Sequence, residues 1–226
     1  MELYDVMRTT FSAREFTDEP VSDEAIYAIL DQARFASSGG NRQGWHVIVV
    51  RDATVRRAIA DLAIPAAKRY AAQRAAGESP WNPLAPPGVD AAAIEATPAP
   101  DALIEPYVHA PLLLIVCIDL GVVAAIDQHL DRVGVISGGS VYPFAWNILL
   151  AGRNEGYGGT MTTMPIAEEP ALQALLGIPE HVAVAAIIPF GRPVRQLTRL
   201  RRRPVEQFTT LERWDGAALA RSGEGH

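Results

Sequence analysis

VSDEAIYAILDQARFASSGGNRQGWHVIVV, residues 21–50, sets a helix, a break and a strand in close succession. Ser22 stands where a helix N-cap would, and Asp23 and Glu24 put negative charge beside the free N–H groups of the first turn. Ile26, Ile29, Leu30 and Ala33 recur at i, i+3, i+4 and i+7, the spacing of one helix face, which predicts an amphipathic helix ending near Ala36. Ser37-Ser38-Gly39-Gly40-Asn41 breaks it. The β-branched run from His46 to Val50 then reads as a buried strand closed by a turn at Arg51-Asp52.

Outward from that stretch, Thr54 to Leu62 carries the signals of a second helix, and Leu112 to Ile118 is a second buried strand. Residues 131–154 form the next helical region, where Pro143 requires the helix either to begin near it or to kink. Gly156-Tyr157-Gly158-Gly159 stops that region, and Thr160 to Thr163 is a short strand candidate. Glu168-Glu169-Pro170 opens a helix through Leu176 that Gly177 caps, and Val182 to Ile188 is the third strong strand. Between 77 and 106, prolines 80, 83, 86, 87, 98, 100 and 106 leave little periodicity beyond Ala91 to Ala96. This segment reads as an insertion, lid or linker, with Trp81 favouring a lid that packs on something. From Gly191 to about Phe208 the chain is basic and extended, as an arm would be. Helices and a few strands without strict alternation indicate an α+β sandwich.

Bulk properties narrow the function. A chain of 226 residues, 49% hydrophobic and 20% charged, suits one domain with a real core. Its longest apolar run, Leu112 to Ile118, is far too short to span a bilayer, so no membrane association is expected. The opening residues do not form a secretory signal, which predicts a cytoplasmic location. Cys117 is the only cysteine, so no intrachain disulfide can form, and its apolar neighbours predict a buried, inert thiol. The net charge of −6 argues against a general polyanion binder, and no nucleic-acid module accompanies the basic cluster Arg199 to Arg203. Histidines 46, 109, 129, 181 and 226 lack metal-ligand spacing, so no metal is expected, although His46 directly follows the glycine-rich loop. Gly156-Tyr157-Gly158-Gly159 does not match the dinucleotide fingerprint G-x-G-x-x-G, and no G-x-S-x-G elbow, P-loop or H-E-x-x-H is present.

Three separated segments together resemble the nitroreductase family of FMN-dependent NAD(P)H oxidoreductases. Ser12-Ala13-Arg14-Glu15-Phe16, followed by Asp18-Glu19-Pro20-Val21, is similar to the family's S-x-R-x-F opening. Ser37-Ser38-Gly39-Gly40-Asn41-Arg42-Gln43-Gly44-Trp45 resembles its P-S-G-x-N-x-Q-P-W loop. The third joins Asn147, Gly156 to Gly159 and Thr162-Thr163-Met164-Pro165 with Gly191-Arg192-Pro193 and Arg201-Arg202-Arg203-Pro204-Val205-Glu206. The chain departs from the pattern at Thr10 and Phe11, where the family usually has basic residues, and at Ser37 and Gly44, which replace prolines. Arg8 is the nearest substitute cation.

The resemblance implies a three-layer α-β-α sandwich: one FMN-binding domain over 1–226, with a lid-like insertion at 77–106 and a basic C-terminal arm at 191–226. It implies a homodimer with exchanged tails and FMN, tightly bound, at the interface. NAD(P)H would be the co-substrate, in a ping-pong cycle with a nitroaromatic, a quinone or a similar planar acceptor. FMN carries an anionic phosphate and gains charge at its N1/O2 edge on reduction, so its site needs cations at both ends. By resemblance Arg14 lies near the ribityl chain and the N1/O2 edge, Ser12 near the phosphate, and Arg202 at the phosphate, assisted by Arg203 or Arg201. Ser38, Gly39 and Asn41 would come from the partner subunit. Thr162, Thr163 and Met164 would pass near flavin N5. No dedicated catalytic acid or base is implied, since the flavin carries the chemistry. Each feature also has a plainer reading: a surface ion pair for Arg14, a helix-to-strand turn for the loop, a structural strand for Thr162 to Met164, a solvated basic face for the arm. Other family branches cleave flavin, dehalogenate or dehydrogenate, and a flavin-sequestering protein would need no turnover.

Overall fold

The computed structural model describes residues 1–220; the end of the expected arm, 221–226, and His226 with it, lie outside the described residues. Helices α1 (Leu3–Thr9) and α2 (Asp23–Ala33) lead into strand β1 (Trp45–Val50) and the long helix α3 (Ala53–Ala75). Helices α4 (Ala91–Ala96) and α5 (Asp101–His109) precede strand β2 (Leu112–Asp119). Helix α6 (Tyr142–Asn154), strand β3 (Gly158–Gly159), helix α7 (Glu169–Leu176) and strand β4 (Val182–Gly191) complete the order. The strands form one antiparallel sheet, β1-β2-β4-β3.

β2 is apolar at successive positions because both of its faces are covered. Leu112, Leu114, Val116 and Ile118 pack with Ile26 and Ile29 of α2 and Phe144 and Ile148 of α6. The alternate residues Leu113, Ile115 and Cys117 pack with Ile59 and Ala63 of α3, Tyr107 of α5 and Leu172 of α7. The architecture is therefore the three-layer α-β-α sandwich. A register shift between Val116 and Cys117, paired with Ala186 and Val184, leaves Ala185 as the extra residue of a bulge.

The local signals mark element starts well. Ser22 caps α2 by accepting the Ala25 N–H at 3.2 Å, Pro143 sits in the first turn of α6, and Gly177 ends α7 in the left-handed conformation at φ 65. The helix expected over Thr54 to Leu62 instead continues to Ala75 through Pro65. Pro65 and Asp61, the residue whose carbonyl loses its helical donor, are both exposed, so water can satisfy that carbonyl. The inner face, with Ala60, Ala63, Ala66 and Ala67 buried, holds the helix together. The 77–106 segment is more helical than its prolines suggest, since α4 and most of α5 fall within it. The strand expected at Thr160 to Thr163 reduces to two backbone hydrogen bonds, both 2.9 Å, between Thr162 and Ile187, with β3 two residues earlier than expected. Beyond β4 the arm is irregular until a turn at Val205–Gln207 and a bridge between Thr210 and Ala218. Among the described residues no helix is long and apolar enough to cross a membrane.

Candidate functional site

Ser12 forms a parallel bridge with Gly159, and the Ala13 N–H donates to the Gly159 carbonyl at 3.1 Å. The packing of β3 against β4 and the start of the arm depends on glycine: a Cβ on Gly158 would come within 2.9 Å of Pro193, and one on Gly159 within 2.7 Å of Ile188. Ala13, 1% exposed, turns inward, so extended geometry presents Ser12 and Arg14 on the opposite, exposed side. The Thr17 N–H donates to Arg192 O at 2.9 Å and the Val194 N–H to Glu15 O at 3.1 Å, tying the same segment to the start of the arm.

Arg14 stands between two cavities. One, of about 220 Å³, is lined by Tyr70, Pro106 and Tyr107 together with Thr162, Thr163 and Met164. The other, of about 370 Å³, is lined by Phe11, Ser12, Glu15, Arg195 and Leu197. The Arg14 guanidinium reaches the Ser12 carbonyl at 3.4 Å, and among the described residues it forms no ion pair. The surface ion-pair reading therefore finds no partner here.

The facing strip is rigid for a reason the sequence hides. The Tyr107 hydroxyl and Thr162 Oγ1 share a hydrogen bond of 2.8 Å, and the Met164 backbone bonds to the same phenol. Burial raises the phenol pKa well above its ordinary value, against the opposing effect of these hydrogen bonds, so Tyr107 is neutral at physiological pH. A third cavity, about 600 Å³, shares Tyr70, Thr163 and Met164 with the first and adds Trp81 and Tyr142. Tyr70, Tyr107, Tyr142 and Arg195 were not among the sequence candidates.

The structure thus gathers Ser12, Arg14, Thr162, Thr163 and Met164, and leaves the other candidates apart. Ser38, Gly39 and Asn41 form a tight turn: Ser38 Oγ accepts the Gln43 N–H at 3.0 Å, the Gly39 N–H donates to Ser140 Oγ at 3.2 Å, and Asn41 Oδ1 accepts the Gln43 amide at 3.0 Å. This loop enters β1 at Trp45, level with Ile118 and so with Ala183, whereas Gly159 pairs with Phe190 at the far end of β4. The loop and Ser12 are thereby separated by roughly 20 Å along the strand direction, besides lying at opposite sheet edges. Arg202 and Arg203 are exposed on the arm; Arg202 donates to the Arg201 carbonyl at 2.8 Å. Arg8 lies 5.8 Å from the ring of Tyr4 on its own helix.

Of the remaining features, Trp45 stacks on Phe144 with ring centroids 4.7 Å apart, a core role. His46 lines a separate cavity of about 670 Å³ with Cys117 and Asp119. Burial pushes the Cys117 thiol up to about 11, as an inert thiol requires. Among the described residues no cluster of potential ligands could hold a metal.

Residues 7–192 match the nitroreductase family profile. The chain belongs to the nitroreductase family. The relatives within this family differ in activity. An iodotyrosine deiodinase of Nematostella vectensis is 24% identical over 215 residues, 93% of this chain and 75% of its own. An NADH dehydrogenase of Thermus thermophilus is 26% identical over 204 residues, 87% of this chain and 89% of its own. The crystal structure of an oxidised iodotyrosine deiodinase bound to FMN and 3-iodo-L-tyrosine superimposes with a TM-score of 0.64 at 21% identity, covering 90% of this chain and 96% of that one. Members of the nitroreductase family are oxidoreductases. Arg202 and Arg203 lie beyond the matched span.

Proposed function

We propose that this chain is an FMN-dependent oxidoreductase that works as a homodimer, taking hydride from NAD(P)H and delivering it to a planar acceptor such as a nitroaromatic or a quinone. The observation that carries the reading is Arg14, a cation without a carboxylate partner among the described residues, set between two cavities and opposite a hydroxyl-bearing strip. That arrangement fits FMN: a fixed positive charge suits its N1/O2 edge, threonine hydroxyls suit its polar atoms, and Ser12 and Arg195 extend the polar lining along the second cavity. When bound, FMN would supply the hydride chemistry at N5. Arg14 would stabilise the negative charge that reduction adds. Tyr107 holds the Thr162 hydroxyl in one orientation, and Arg202 and Arg203 would neutralise phosphate once the arm is in place.

Exposed apolar side chains support a dimer. Tyr27 is 75% exposed, Phe35 72% and Trp146 42%, large side chains on and around α2 and α6 that a partner subunit would cover. The loop at Ser38 to Asn41 would then serve the partner's site. The deciding test is the visible spectrum of the purified protein, with FMN added if needed, before and after anaerobic NADH or NADPH. Flavin bands that bleach support the reductase. Bands that persist favour a flavin-sequestering role or a branch with another reductant, and no flavin binding overturns the proposal.

A further inference from the structure

The cavity formed by Tyr70, Trp81 and Tyr142 has a composition that selects by charge. It measures about 600 Å³ and adjoins Thr163 and Met164; its remaining wall includes Ile166 and Val184, and among the described residues no Asp, Glu, Lys, Arg or His lines it. A carboxylate or an ammonium entering would leave water without a counter-charge on the lining itself, since the Arg69 cation is stacked on the indole and Arg14 lines the adjoining cavity, whereas an uncharged aromatic ring would exchange water for aromatic and aliphatic surface. We infer that this cavity is the acceptor subsite, that it takes uncharged aromatic molecules in preference to anionic or zwitterionic ones, and that Trp81 is its specificity-determining wall.

Trp81 is held in a way that a casual surface residue is not. Its backbone is left-handed at φ 58, a conformation that bulky residues rarely adopt and that persists only where the surroundings enforce it. The enforcement is visible. The Trp81 N–H donates to Gln73 Oε1 at 3.2 Å, and Gln73 is only 3% exposed. The Gln73 amide donates to Glu78 Oε2 at 3.0 Å, and Glu78 Oε1 accepts the Gly88 N–H at 2.8 Å. The Arg69 guanidinium lies 4.1 Å from the centre of the indole. A buried glutamine, a carboxylate and a cation thus fix an aromatic ring that remains 42% exposed at the rim of an apolar cavity. Across the cavity, the Tyr142 hydroxyl donates to the Ala185 carbonyl at 3.3 Å, at the bulge of β4. The walls are in place before any ligand arrives, which lowers the ordering cost of binding.

The inference rests on the proposed flavin reading for the word acceptor, but its charge selectivity can be tested separately. Titration calorimetry on the flavin-loaded protein, without pyridine nucleotide, would compare 4-nitrobenzyl alcohol with 4-nitrobenzoate, the same ring with and without a charge. The alcohol should bind at least roughly tenfold more tightly, Trp81→Ala should weaken it by about the same factor, and Trp81→Phe should retain most of the affinity. FMN affinity, titrated in parallel, should be unchanged in both variants. Tyr142→Ala gives a second lesion from another element, with the same expected direction. Equal binding of the two probes, or alcohol binding indifferent to both alanine variants, overturns the inference, as does joint loss of FMN and alcohol in well-folded variants, which would assign the cavity to the flavin. If the wild-type protein takes no FMN, the proposed function fails; the same titrations on the flavin-free chain then decide whether the cavity discriminates by charge.

Discussion

Arg14 and Tyr107 face the same cavity and make opposite demands on a substitution. Arg14→Ala removes an exposed cation with no carboxylate partner among the described residues, so the fold should be nearly unaffected while FMN affinity falls by about 1.5–3 kcal/mol, the range of a charge-assisted hydrogen bond. A flavin titration checks it, and an unchanged affinity would remove Arg14 from the site. Tyr107→Phe instead strips a partner from Thr162 Oγ1 and from the Met164 N–H. It should cost about 1–2 kcal/mol in urea unfolding even without flavin. Alkaline pH carries a related signature. Because burial raises the phenol pKa in the folded state, the unfolded chain loses its proton first, and stability must fall as pH rises beyond the ordinary tyrosine value near 10. The phenylalanine variant should show a shallower loss over that range. At this scale the sequence marked Ser12, Arg14 and Thr162 to Met164 by their local motifs, and the fold brings them to the lining of neighbouring cavities. Tyr107 was invisible because its partner lies 55 residues away and no local pattern marks such a contact.

The elements repeat that division between local and distant causes. Caps, proline starts and β-branched runs are local, so α2, β1, β2, α7 and β4 could be read almost to their ends. The second half of α3 could not, because burial of its alanine face outweighs the proline signal. Asp52 Oδ1 accepts the Thr54 and Val55 N–H groups at 2.8 and 3.0 Å, so Asp52→Ala should destabilise the protein by about 1 kcal/mol in denaturant melts. The loop between β2 and α6 makes a pH-dependent prediction. The Val135 N–H, then Arg132 and the Ile136 N–H, outweigh desolvation to hold the Asp127 carboxyl below its ordinary range. Its stabilising effect is complete above the unfolded aspartate value near 4 and is lost as pH falls through the lower folded value. Amide exchange at Val135 and Ile136, corrected for intrinsic rates, should therefore accelerate on acidification, and Asp127→Asn should flatten that response. The neighbouring Gly39 turn, docked on Ser140 and linked to Val122 through Arg42 at 3.3 Å, should loosen with it.

Within one chain the two halves of the expected site do not meet. A single chain presents Arg14 at one end of the sheet and the Ser38 to Asn41 loop at the other, a separation too long for side chains to bridge. If each loop completes the partner's site, subunit mixing has an unusual outcome. Arg14→Ala and Asn41→Ala homodimers would each carry two damaged sites. In a mixed dimer one site collects both substitutions, while the other keeps Arg14 from one chain and Asn41 from its partner and is intact. Co-refolding the two variants should therefore restore flavin affinity in one site of each heterodimer, even though neither variant binds normally alone. A site built within one chain gives the opposite result, since each chain of the mixed dimer would still carry its own lesion. Sedimentation of the same mixture provides the necessary control: complementation requires a dimer, and a monomer that binds FMN normally would show that the loop serves its own subunit or none.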